Sequence, residues 1–259
     1  FAPSPPPSPP PLDSYFNFPR GGPAARAAAA ESVAALQKAG PQAIAAARGL
    51  RFAALGLAAA TFTTAVSGAF VAGNDAGCAY NCFPKMTEDT WLPLEPLIEP
   101  SLQPWYRNFF ENTPLVQLDH RVLAVSTAAG AAAAAAYARA ATAGGKPLWG
   151  YLPPSARRAV AATAVVAAAQ VGLGISTLLL YVPIGLAAAH QAGSLVVLSS
   201  SLWMLRSLRF ANAAAGVGVT NLPGLALGAG SIGTGVAIMK YGNGKPDQPA
   251  SIDMLCSED

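Results

Sequence analysis

The feature that most restricts how this chain can fold is a run of uncharged residues from Phe52 to Gly73. A helix needs about 20 mostly apolar residues to cross the hydrocarbon core of a bilayer. In lipid each backbone polar group must be bonded internally, so such a run has to become a helix. Three more long apolar segments follow. Residues 116–142 are rich in alanine and stop at Gly144, Gly145 and Pro147. Residues 159–182 carry no charge, and residues 184–205 carry one ionisable group, His190. Only 11% of the chain is charged and 53% is hydrophobic, whereas a soluble domain is about a quarter charged. The expected fold is an all-α membrane protein: an antiparallel bundle of four transmembrane helices within a domain at 48–206. The short connections at 143–157 and at Pro183 make sequential helices run in opposite directions.

The flanks read differently. Residues 1–11, FAPSPPPSPPP, are low in complexity and favour an extended polyproline conformation. The chain opens on Phe1 rather than Met and reads as a fragment or a processed product. An Ala-rich helix follows over 24–50, broken near Gly40-Pro41, with Arg26, Glu31, Lys38 and Arg48 scattered along it. It is expected on the surface or at the membrane interface, within a 1–47 flank. The 207–259 tail is Gly-rich, which disfavours a fifth crossing at Leu222–Met239. Gly228, Gly230 and Gly233 spell GxGxxG but lack the preceding strand that a nucleotide site needs. A net charge of +3 with no basic face argues against nucleic acid as a partner.

Charge asymmetry orients the bundle. Arg48, Arg51, Lys146, Arg157, Arg158, Arg206 and Arg209 gather at one end. The 74–115 loop carries Asp75, Glu88, Asp89, Glu95, Glu99 and Glu111 against Lys85 and Arg107. Positive residues stay inside, so both termini are expected on the cytoplasmic or matrix side.

The chain holds two histidines, His120 and His190. They lie four and six residues into the second and fourth spans, so about 6 and 9 Å from the same surface. Those two helices run in the same direction and can sit diagonally across the bundle. An ionisable side chain inside a membrane helix is costly and usually functional. Two neutral imidazoles at one level suit the two axial positions of a haem iron. Zinc normally needs two further ligands, and only Asp119 is near, off the His120 face. The competing reading is that each histidine simply hydrogen-bonds across helices. Arg121 can pair with a haem propionate through its planar fork, or lie at the helix end with its head in water. Cys78 and Cys82 can form a disulfide in an oxidising compartment, or remain two thiols. No CxxCH is present, so a haem is expected to be held without covalent attachment. Trp91, Trp105 and Tyr106 suit the membrane interface, and Asn108 and Asn112 can satisfy polar groups in the loop.

Three segments carry a family likeness: SGAFVAGNDAGCAYNCFPKM (67–86), NFFENTPLVQLDHRVLAV (108–125) and QVGLGISTLLLYVPIGLAAAHQAGSL (170–195). In order and spacing they resemble the C-terminal half of haem A synthase of the mitochondrial type, over roughly residues 48–206. The resemblance implies an oxidoreductase of the inner mitochondrial membrane that converts a methyl group of haem O to the formyl of haem A. It implies haem b between His120 of QLDHR and His190 of AAAHQ. Haem O is then bound by an N-terminal half or by a partner chain. Haem O synthase and a ferredoxin-type electron carrier are the implied partners. The N-terminal half of the family has a glutamate three residues before its histidine, and Gln117 stands at that position here. A neutral amide can orient a ligand but cannot act as a carboxylate base. Two other classes stay open: a b-type cytochrome that only transfers electrons, and a non-enzymatic haem-binding assembly factor.

Overall fold

The computed structural model describes residues 22–93 and 95–216. The Pro-rich segment, the Leu222–Met239 stretch, the GxGxxG glycines and Cys256 lie outside them. Helix α1 (Pro23–Ala39) begins on a proline, whose missing N–H has no helical acceptor there anyway. It ends at Gly40, whose φ of +96° is open to glycine. Pro41 then starts α2 (Pro41–Gly73), 33 residues without interruption. The break therefore falls at Gly40-Pro41 as expected, but the boundary placed at 47/48 lies inside one helix. At 1.5 Å per residue α2 is about 50 Å long, more than the ~30 Å hydrocarbon core, so its Arg48–Arg51 end can extend beyond the lipid.

The loop that follows contains α3 (Ala76–Ala79), a 3-10 turn (Trp105–Arg107) and α4 (Asn108–Glu111). Asparagines hold it together. Asn108 Oδ1 accepts from the Glu99 amide at 2.7 Å, and its Nδ2 donates to the Trp105 carbonyl at 2.9 Å. Asn112 Nδ2 donates to the carbonyls of Pro96 and Leu97, and Asn74 Nδ2 to that of Phe110. Trp91, Trp105 and Tyr106 are exposed.

Helix α5 (Thr113–Ala140) leads into the hairpin strands β1 (Thr142–Ala143) and β2 (Lys146–Pro147). Gly144 and Gly145 turn the hairpin with positive φ at both positions, as a two-residue loop requires. A 3-10 turn (Leu148–Tyr151) precedes α6 (Pro154–Leu179), α7 (Ile184–Ser207) and the short α8 (Phe210–Ala214). All four apolar segments are helical. By length and composition, α2, α5 and α6 are long and apolar enough to cross a membrane. Helix α7 is not in that set. His190, Gln191, Ser194 and Ser199–Ser201 dilute its apolar residues.

Helices α5 and α7 each pack on both α2 and α6, so the two histidine-bearing helices stand across from one another. The packed core sits at the arginine-rich end. There Leu36, Leu50, Leu148, Leu152, Met204 and Leu208 are fully buried. Helix α1 contributes Leu36 and packs on α2 and α8, with Gln37 Nε2 donating to the Ala214 carbonyl at 3.5 Å. It lies on the surface of that end, with Ser32 and Leu36 its buried residues. Arg51 Nη1 donates to the Leu205 carbonyl at 2.8 Å, satisfying an acceptor that the end of α7 leaves unpaired. Toward the loop the packing changes. Residues 62–75, 118–126, 168–176 and 184–196 include no buried residue. At that level each long helix keeps part of its surface exposed, and none of its residues is fully covered.

Candidate functional site

Both histidines lie at this level. His120 is seven residues past Thr113 in α5, and His190 six past Ile184 in α7. Helical rise places them about 10 and 9 Å from those starts. The two imidazoles meet, with ring centroids 6.5 Å apart and planes at 90°.

A glycine on the adjoining helix makes room for each ring. A Cβ at Gly68 of α2 would stand 3.1 Å from Cε1 of His120. One at Gly174 of α6 would stand 2.7 Å from Cε1 of His190, closer than packed atoms approach. Each ring also has a polar partner on that same helix. Ser67 Oγ lies 2.8 Å from His120 Nδ1. Gln170 Nε2 lies 3.1 Å from His190 Nδ1 and donates to the His190 carbonyl at 2.7 Å. Ser67 and Gln170 were not singled out from the sequence. The signal for Gln170 was available, since an amide in a charge-free span needs a partner. Ser67 gave none, because a serine in a membrane helix can bond to its own backbone.

Gln117 and Arg121 turn toward the loop. The buried Gln117 donates from Nε2 to the Tyr80 carbonyl at 3.2 Å. Arg121 donates to the same carbonyl at 2.7 Å and to that of Lys85 at 2.8 Å. Neither is hydrogen-bonded to an imidazole. Gln117 Oε1 and Arg121 Nε are buried without a partner in the protein, so each retains bonding capacity. Beside them Tyr80 donates to Glu95 at 2.8 Å. Burial first, and then that carboxylate, push the phenol's pKa upward. Cys82 is a free thiol, with Sγ 3.8 Å from Asn81 Oδ1. The Cys78–Cys82 bridge, one of the two expected alternatives, is therefore not formed.

Among the described residues no three His, Cys, Asp or Glu side chains come together as a metal-binding group. The site is thus an imidazole pair with no further ligand of those types, in walls of small residues. Two imidazoles so spaced can bind one ion from opposite sides. A groove of about 420 Å³ between α2 and α5, lined by Ala53, Gly56, Gly130 and Tyr137, includes neither histidine.

The family model described as cytochrome oxidase assembly protein, COX15-CtaA, matches residues 24–202. This chain belongs to the COX15-CtaA family. Its match begins in α1 and runs through most of α7, so all four long helices are covered. Among its relatives is the heme A synthase COX15 of Bos taurus, 48% identical over 162 residues, which are 62% of this chain and 36% of that protein. The heme A synthase COX15 of Arabidopsis thaliana is 46% identical over 146 residues, 56% of this chain and 29% of that protein. A heme A synthase-mitochondrial ferredoxin fusion protein of Schizosaccharomyces pombe is 37% identical over 153 residues, 56% of this chain and 24% of that protein. The chain spans about a third of the length of the Bos taurus protein. No solved structure matches it. The likeness to haem A synthases read from the three sequence motifs is thus borne out.

Proposed function

We propose that this chain is the haem b-binding four-helix half of a haem A synthase, and that His120 and His190 are the axial ligands. The observation that carries the reading is the 6.5 Å between ring centroids. Two metal–nitrogen bonds of about 2.0 Å, plus roughly 1 Å from each nitrogen to its ring centre, give about 6 Å. Three further features agree with a flat macrocycle between the rings: the glycine seats, the segments without buried residues, and the shortage of other ligands. Bound there, haem b supplies one-electron redox chemistry.

The chain's own residues bind and position. The imidazoles would hold the iron, and the apolar helices would keep water away from it. Gln117 and Arg121 hold the loop at Tyr80 and have a free acceptor and a free donor beneath it. Arg121 Nε is suited to a propionate at that edge. A neutral Gln117 cannot itself take the proton-transfer role of a carboxylate. Oxidation of the haem O methyl to the formyl of haem A then takes place in a substrate half supplied by an N-terminal segment or a partner chain. Haem O synthase is the class of partner that delivers the substrate. The ferredoxin fused in the Schizosaccharomyces pombe relative supports a ferredoxin-type electron donor. Helix α7 is the fourth crossing. The mitochondrial inner membrane, with both termini on the matrix side, fits the arginine-rich end and the names of the relatives.

The test is a pyridine haemochrome spectrum of the purified chain, with His120→Ala and His190→Ala beside it. The wild type is expected to hold one non-covalent b-type haem, extractable into acid acetone, and each variant to lose its six-coordinate spectrum. Unaltered spectra in both variants would defeat the assignment. Conversion of haem O to haem A by the chain alone would defeat the division into halves.

A further inference from the structure

The two imidazoles have unlike partners, and the difference decides where each ring carries its proton. The Ser67 hydroxyl has one hydrogen and spare lone pairs. Its oxygen lies 2.8 Å from the Thr64 carbonyl, to which it donates, and 2.8 Å from His120 Nδ1. With its hydrogen given to Thr64, Ser67 is left as an acceptor. His120 then holds its proton on Nδ1, and Nε2 keeps the free lone pair that a metal needs.

Gln170 acts in the opposite sense. A carbonyl oxygen only accepts, so the amide atom 2.7 Å from the His190 carbonyl has to be the N–H₂ group. The same nitrogen is 3.1 Å from His190 Nδ1 and has a second hydrogen to give it. Gly193 leaves the space that the amide occupies in this pose, since a Cβ there would stand against Gln170 Oε1. A donor at Nδ1 favours the tautomer with its proton on Nε2, which is the one that has no lone pair there for iron.

We propose that Ser67 and Gln170 are positioning residues that make the axial pair unequal, with His120 the firm ligand and His190 the displaceable one. This rests on the haem reading above. It adds that the face of the iron toward α7 is where a small exogenous ligand enters.

The experiment uses carbon monoxide on the dithionite-reduced, haem-loaded chain. Gln170→Met keeps the volume and removes the donor. If Gln170 weakens His190, this variant grips the iron more tightly and its half-saturating CO concentration rises several-fold. If Gln170 merely props the ring, the variant loosens it and half-saturation falls. A fall, or no change, overturns the proposal. Gln170→Glu offers an acceptor in place of the donor, and is expected to raise half-saturation further and lower the midpoint potential. Ser67→Ala removes the acceptor from the firm ligand and should weaken haem retention by about 10-fold or more. Ser67→Thr, which keeps the hydroxyl, should restore it. Ser67→Ala with unchanged retention and potential overturns the Ser67 half. A wild-type chain without a low-spin bis-imidazole spectrum would instead sink the haem reading itself, so the two failures are distinct.

Discussion

Gly174 and Gly68 show how single residues set up this site. Each matters for the space its missing side chain leaves, and the two are not equally strict. The hypothetical Cβ stands 2.7 Å from the His190 ring and 3.1 Å from the His120 ring. Overpacking in a tight contact costs about 1–3 kcal/mol and moves the weaker partner. Gly174→Ala is therefore expected to displace His190 and deplete haem strongly, and Gly68→Ala to do so more mildly. The ratio of Soret to protein absorbance after purification checks the order. Full haem retention in Gly174→Ala would mean that the seat is not needed. In the sequence Gly174 is one glycine of the 170–195 motif and nothing marks it as a seat for a ring. That it lies under a histidine depends on the rotation of α6 against α7.

At the scale of elements, the loop between α2 and α5 joins the two polar ends of the site. Two of its carboxylates, Glu99 and Glu111, titrate below the usual range. Arg107, bonded bidentately to Glu111, holds that carboxyl below its ordinary 4.5. The Ser101 amide, followed by its hydroxyl, lowers Glu99 in the same direction. A carboxylate with a depressed folded pKa adds stability above its unfolded value and loses it as pH falls through the folded one. The loop should therefore be unaffected from neutrality down to about pH 4.5 and loosen below it. Both groups are exposed, so solvent screening keeps the effect small. Trp105, edge-on to Phe109 with centroids 5.9 Å apart, reports it by fluorescence. Glu111→Gln should reduce the acid transition, and an identical transition in that variant would place its origin elsewhere. Asn108, Asn112 and Asn74 were legible only as polar residues in a polar loop. Which carbonyls they satisfy follows from how the loop folds back over its own backbone.

For the whole molecule, the main division is between an end with a buried apolar core and a histidine level without fully buried residues. Leu36 of α1 is buried with Leu148, Leu208 and Phe210 at the arginine-rich end, remote in sequence and in space from the imidazoles. Truncating such a side chain costs about 2–5 kcal/mol. Leu36→Ala should lower the thermal midpoint in detergent without altering the haem spectrum. An unchanged midpoint would return α1 to the role of a loose surface helix. By itself the sequence determined the helices, the break at Gly40-Pro41 and the common depth of His120 and His190. Those properties are local: hydropathy and helix-breaking residues act on one segment and on the solvent around it, and rise per residue converts position into depth. Tertiary structure alone decided that Ser67 and Gln170 face the rings, that Gln117 and Arg121 turn to Tyr80, that α1 caps the core, and that Cys82 stays a free thiol. Alanine-rich helices present nearly the same surface on every side, so their rotation and pairing are fixed by the few polar and large side chains that must find partners once the helices meet.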